Sequence, residues 1–144
     1  GAHAASRFAE RLAAIDLIPA HAGILRMLGA TPGMTQRELA AALGALPSRL
    51  VALLDDLEAR GLVERRQHAH DRRRHALCLS EAGQAHAADI ARIAREHQAA
   101  LLAALTDSEQ AVLAAQLQRI ADQQGLLRHA HPGYRAGDRK PQRP

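Results

Sequence analysis

Between Thr35 and Ser80 the spacing of apolar residues changes from helical to alternating, and the change marks out a compact set of elements. Leu39, Ala40 and Leu43 share one face of a short helix. Thr35 opens it with a capping box, in which its hydroxyl accepts from the backbone three residues on and Glu38 reaches back. Gly44 stops it. Pro47 starts a second helix whose buried stripe is Leu50, Leu53, Leu54 and Leu57. Gly61 ends that helix. Leu62–Arg66 and His75–Leu79 then read as short strands, with Val63, Leu77 and Leu79 facing inward and a polar loop between them. Helix, turn, helix, strand, basic loop, strand is the outline of a winged helix-turn-helix.

The flanking segments read as helices that carry this unit. Phe8, Leu12 and Ile15 fall on one face of a helix over residues 4–15, which the Asp16 to Pro19 segment breaks. A further helix runs from Pro19 to about Gly29 around Ile24, Leu25 and Leu28, and Thr31-Pro32-Gly33 is a turn. Ser80 caps a long helix. Ala87, Ile90, Ala94, His97, Leu101 and Ala104 recur along it in steps of three and four, a seam for another helix. Thr106 and Glu109 form a second capping box. The helix after them has its own seam at Leu113, Leu117, Ile120, Gln124 and Leu127. From Arg128 onward Pro, Gly, Arg and His dominate, which predicts an irregular tail with Tyr134 as its docking residue.

The predicted fold is therefore mainly α with a small β-hairpin wing, a winged helix-turn-helix with long dimerisation helices. Its expected divisions are 1–30 for N-terminal helices, 31–80 for the DNA-binding lobe, 81–127 for dimerisation helices and 128–144 for the tail. The chain opens inside a helix, so that first dimerisation element is expected to begin before Gly1.

Composition narrows the picture in three ways. Hydrophobic residues make up 47%, enough for a core, yet Phe8 and Tyr134 are the only aromatic residues. The core must be Leu, Ile, Val and Ala, which favours close-packed helices. The formal charge of +4 suits nucleic acid. No apolar run reaches the roughly 18 residues of a membrane span, so no membrane partner is expected. Cys78 stands alone, so no internal disulfide forms, and with no leader pattern the expected location is the cytoplasm.

The candidate chemistry lies in the helix pair and the loop. Arg65, Arg66, Arg72, Arg73 and Arg74 crowd the predicted hairpin, where arginine meets phosphates and the minor groove. On the second helix Ser48, Ala52, Asp55 and Ala59 point away from the leucine stripe, with Arg49 and Val51 on its flanks. Ser48 and Arg49 suit bases or phosphates, and Val51 a thymine methyl. Asp55 and Asp56 lie on or near that face, where a bare carboxylate repels phosphate. The expected resolution is that one of them pairs with Arg72 or Arg73 and sets the wing's angle. The nine histidines show no ligand spacing, His97 reads as a core or interface residue, and no CxxC exists, so no metal or cofactor is expected. Cys78 reads as a buried structural thiol. Catalytic motifs are absent, and an enzyme is not expected.

The stretches LVALLDDLEARGLVERR and HDRRRHALCLSEAG closely resemble the MarR family (multiple-antibiotic-resistance regulators). The shared pattern is L-x-x-x-G-L-V/I-x-R, a wing D-x-R, then L-T/S-x-x-G. Here it is carried by Leu57, Gly61, Leu62, Val63, Arg65, Asp71, Arg73, Leu79, Ser80 and Gly83. Upstream, DLIPAHAGILRMLGATPGMTQRELAAALG is similar to the family's LTPxQxxVLxxLxxxPGLTQxELAxxLG, and the resemblance runs from about Phe8 to Leu127. It implies a homodimeric regulator, in many members a repressor, binding a pseudo-palindromic operator in double-stranded DNA and released by a small aromatic or phenolic ligand. By position, Pro47, Ser48, Arg49, Val51 and Ala52 face the major groove, and Arg72, Arg73 and Arg74 form the wing contacts. Thr35 and Gln36 join the DNA-binding set, and Asp55 and Asp71 orient the wing. Phe8, Leu12, Leu101, Leu113, Leu117 and Ile120 are assigned to dimerisation. A ligand pocket is expected among the first helix, the Pro19–Gly29 helix and the start of the Ser80 helix, with an aliphatic lining. This chain has Val51-Ala52 where the family often carries Thr-Arg, and Leu46 is a poor N-cap. The competing reading is a winged-helix protein-interaction module that does not touch DNA.

Overall fold

The computed structural model describes residues 1–68, 71–126 and 134, with the side chains of 68 and 71–74 outside the description. The elements in order are α1 (Ala2–Ala13), α2 (Pro19–Ala30), α3 (Gln36–Leu43), α4 (Pro47–Ala59), β1 (Val63–His68), β2 (Asp71–Leu79), α5 (Glu81–Leu101) and α6 (Asp107–Gln123). Among the described residues this is the six-helix, one-hairpin architecture of a winged helix.

Local chemistry explains the boundaries. Thr35 and Glu38 form the full capping box of α3, with Thr35 N–H donating to Glu38 Oε2 at 2.7 Å and Glu38 N–H to Thr35 Oγ1 at 3.3 Å. Gly44 ends α3 in the left-handed region at φ +60°, where a residue without Cβ is unstrained. The leucine stripe of α4 is buried throughout. The sheet is an antiparallel hairpin pairing Val63 with Leu79 and Arg65 with Leu77, with an irregularity at Gln67/His68. A single bridge adds Met34 to its outer edge: Gly33 N–H donates to Leu77 O at 2.9 Å, and Leu77 N–H to Met34 O at 2.8 Å.

The hairpin is longer than expected. The strands were placed at Leu62–Arg66 and His75–Leu79 because apolar alternation stops there. Backbone pairing needs no apolar side chains, so the ladder continues to His68 and Asp71. Residues 71–74 thus stand on β2, not in a loop. The side chains of Asp71, Arg72, Arg73 and Arg74 lie outside the described residues. So do His70 and Leu127. Ala104 falls in the turn after α5, and Gln124 caps α6 from beyond its last residue, so neither seam runs as far as the spacing suggested.

One corner joins the hairpin to α5. Ser80 Oγ donates to Gly61 O at 2.6 Å and accepts from Gly83 N–H at 3.0 Å. Ser80 N–H donates to Leu62 O at 3.2 Å. Gly83 lies so close to that strand entry that a Cβ there would collide with Leu62 O. The S-x-x-G motif is thus a packing requirement.

α1 lies along α5. Phe8 and His97 rings are 5.4 Å apart, and Arg11 Nη1 is 4.0 Å from Glu96 Oε2. Leu12 is 0% exposed, so it belongs to the protomer's own core and not to an open face. α6 buries none of its residues, and Val112, Leu117 and Ile120 are 55%, 56% and 55% exposed. Among the described residues no helix is long and apolar enough to cross a membrane. Tyr134, described by itself, is 1% exposed. Its Oη donates to Ala20 O at 2.8 Å, and its carbonyl accepts from Leu46 N–H at 3.1 Å.

Gly83→Ala tests the corner. In an ordinary helix that change stabilises by about 1 kcal/mol. Here the clash with a backbone carbonyl reverses the sign, and a loss of about 2 kcal/mol is expected in urea unfolding. A variant at least as stable as the parent would refute the packing argument.

Candidate nucleic-acid interface

Burial of the leucine stripe turns the opposite side of α4 to solvent. Pro47, Ser48, Val51, Ala52 and Asp55 are exposed, and Arg49 is half-buried. Val51, the largest apolar side chain on that face, is 37% exposed. Beside it lie α3 and the hairpin. Gln36 is half-buried and Arg37 exposed, next to a concavity of about 570 Å³ that also reaches Arg65 and His75. Thr35 is buried, and its hydroxyl is committed to the cap.

Each carboxylate on α4 has a cationic neighbour. Arg65 stands opposite Leu77 in the hairpin and so shares its inward face. Its guanidinium donates to Asp55 Oδ1 at 2.7 Å and to Glu58 Oε2 at 2.6 Å. Arg60 Nη1 is 3.6 Å from Asp56 Oδ2. Arg60 Nη2 donates to Asp16 O at 2.6 Å and Asp16 Oδ2 at 3.2 Å, which ties the α1–α2 turn to the end of α4. Asp55 thus has Arg65, at the wing's base, as its partner. The arginines named for that role, Arg72 and Arg73, have side chains outside the described residues. Each exposed pair contributes only about 0–1 kcal/mol. Their consequence is electrostatic: the helix face carries no unneutralised run of acid.

His21 sits beneath this layer on α2, 7% exposed, with Nε2 3.3 Å from Asp56 Oδ2. Burial lowers its pKa, Asp56 opposes that, and Arg60 and Arg49 reinforce it. Nε2 faces the Asp56 carboxylate, and Nδ1 has no partner among the described residues. The sequence reading missed it, though spacing carried the signal: His21, Ile24, Leu25 and Leu28 share the buried face of α2. Likewise, alternation from Val63 marks Arg65 as an inward residue.

Cys78 is half-buried and lines a cavity of about 480 Å³ with Leu28, Pro32, Arg66, Gln84 and Ala87. The end of α2, the hairpin and the start of α5 form its walls. Among the described residues no three His, Cys, Asp or Glu side chains converge as metal ligands.

A helix pair with one face open, a hairpin wing beside it and neutralised carboxylates between them define a winged helix-turn-helix DNA-binding protein. Residues 15–74 match the model of the MarR family. The chain is 36% identical to the transcriptional repressor CouR, solved bound to a 23-mer DNA duplex, with a TM-score of 0.75 over 83% of this chain and 84% of that one. It is 30% identical to a probable transcriptional regulator from Pseudomonas aeruginosa, with a TM-score of 0.70 over 82% and 91%. A putative transcriptional regulatory protein for the hcr operon of Thauera aromatica is 31% identical over 98 residues, 68% of this chain and 59% of that protein's length. The chain belongs to the MarR family of transcriptional regulators.

Two predictions follow from the charges on α4. Arg65→Ala leaves Asp55 and Glu58 uncompensated beside DNA, and duplex affinity is expected to fall roughly tenfold by anisotropy at fixed salt, as for a lost close charge pair. Unchanged affinity would show the pairing to be irrelevant. For His21 the folded state prefers the neutral ring, so its contribution is complete above pH 6.5 and is lost as pH falls through the lowered folded value. Thermal melts from pH 8 to pH 5 are expected to show a steeper acid loss for the parent than for His21→Gln.

Proposed function

We propose that the chain is a ligand-responsive repressor that binds a pseudo-palindromic operator as a homodimer. The observation that carries this reading is the open, charge-compensated face of α4 beside an arginine-bearing hairpin. Pro47, Ser48, Arg49, Val51 and Ala52 enter the major groove. Gln36, with Thr35 holding the start of α3, lies toward the backbone, and Arg72, Arg73 and Arg74 supply wing contacts. Most of the affinity comes from phosphate contacts through arginine and therefore falls with salt. Groove contacts and minor-groove shape add specificity.

The second copy covers the apolar side of α6. Leu117 and Ile120, with Leu101 and the half-buried Leu113 and Phe8, present more apolar surface than a lone helix keeps in water. The effector, a small aromatic or phenolic molecule, enters the cavity between α2, the hairpin and α5. Binding there favours a spacing of the two α4 helices that does not match the operator.

Fluorescence anisotropy with a duplex from the gene's own upstream region and a scrambled duplex, across a salt series, tests the DNA half. Preference for the upstream duplex is expected, with log K falling linearly in log salt, and Arg72→Glu with Arg73→Glu should abolish binding. Equal weak affinity for both duplexes would overturn it. Leu117→Asp with Ile120→Asp is expected to give a monomer in light scattering. A dimer that survives would move the interface elsewhere.

A further inference from the structure

We propose that Tyr134 is a positioning residue for DNA recognition, a staple from the C-terminal tail that fixes the first turn of α4 against α2. The proposal rests on the reading of α4 as the DNA-reading helix.

The start of α4 has little support of its own. Its N-cap is Leu46, which has no side chain able to cap, and Pro47 at the first helical position has no N–H. Yet this turn carries Pro47, Ser48 and Val51, the residues offered to the groove. What holds Leu46 therefore sets where they point. Leu46 N–H finds its partner in the carbonyl of Tyr134 at 3.1 Å. The same residue reaches the other way, and its phenol donates to Ala20 O, in the first turn of α2, at 2.8 Å. Between these two hydrogen bonds the ring is buried in the hydrophobic core. One residue thus bridges α2 and the threshold of α4.

The slot for the ring is cut by Gly23. A Cβ at that position would occupy the space of the phenol oxygen. Glycine is unfavourable inside a helix, so the residue that removes the Cβ opposes the stability of α2 itself. The missing Cβ is what makes room for Tyr134.

The chain offers a direct probe, because Tyr134 is its one tyrosine and it has no tryptophan. Tyrosine emission therefore reports the staple alone. The parent chain, Tyr134→Phe, Tyr134→Ala, Gly23→Ala and the double variant Gly23→Ala/Tyr134→Ala are compared. Gly23→Ala leaves the tail untouched and improves helix propensity, so it evicts the ring without weakening α2.

Acrylamide quenching is expected to be weak in the parent and strong in Gly23→Ala. In the parent the phenol titrates near its buried value of about 12, and in Gly23→Ala it returns toward 10. The ratio of affinities for the upstream and scrambled duplexes is expected to drop roughly tenfold in Gly23→Ala and in Tyr134→Ala, comparable to one lost base contact. Affinity for the scrambled duplex should stay constant. The double variant should be no worse than Tyr134→Ala, since both changes empty the same slot. Tyr134→Phe keeps the ring and should retain most of the preference.

A parent tyrosine quenched like the free amino acid overturns the proposal, as do additive effects of the two substitutions. A parent that prefers neither duplex overturns the DNA reading and the positioning role with it, even with the ring shielded. A preference that survives Tyr134→Ala overturns the positioning role alone.

Discussion

Leu50, Leu53, Leu54 and Leu57 have to leave water, and that one demand orients α4. Burying each is worth about 2 kcal/mol, while the ion pairs on the exposed side contribute about 0–1 kcal/mol apiece. The leucines therefore decide which way the helix turns, and the charged residues adjust only what the outer face presents. Ser48, Val51 and Ala52 face outward because they alternate with the stripe. Their exposure follows from the core.

The same hierarchy explains what the sequence made legible. Helices were readable because their buried faces repeat with helical spacing and because Thr35, Ser80 and Thr106 announce their own caps. The hairpin's outer half was not, since its arginines and histidines carry no apolar alternation and a backbone ladder needs none. The pairing of Asp55 with Arg65 was not anticipated, although Arg65, two residues from the buried Val63, points inward by strand geometry. Leu12 shows the opposite limit. Periodicity identifies an apolar face but not which partner covers it, and here α1 spends Leu12 on its own protomer.

Arg65 and Arg60 also show why arginine suits this surface. Each planar guanidinium reaches two or three carbonyl or carboxylate groups at once, so a few residues neutralise several acids and tie separate elements together. A lysine in either place would supply the charge without the geometry. His21 adds a buried neutral ring beneath Asp56, where burial outweighs the carboxylate's pull toward protonation.

The corner at Ser80 and Gly83 gives α5 a fixed end, and α5 is 21 residues long. At 1.5 Å per residue it is a rod of about 32 Å. A tilt of about 5° at the corner displaces the far end by about 3 Å, close to the 3.4 Å step between neighbouring nucleotides of a strand. If two copies join at their far ends with each α4 in a groove, as proposed, the distance between those helices would be governed by an angle at a glycine. A protein built this way would measure its target as a protractor does, and small angular errors would become whole-step errors on DNA.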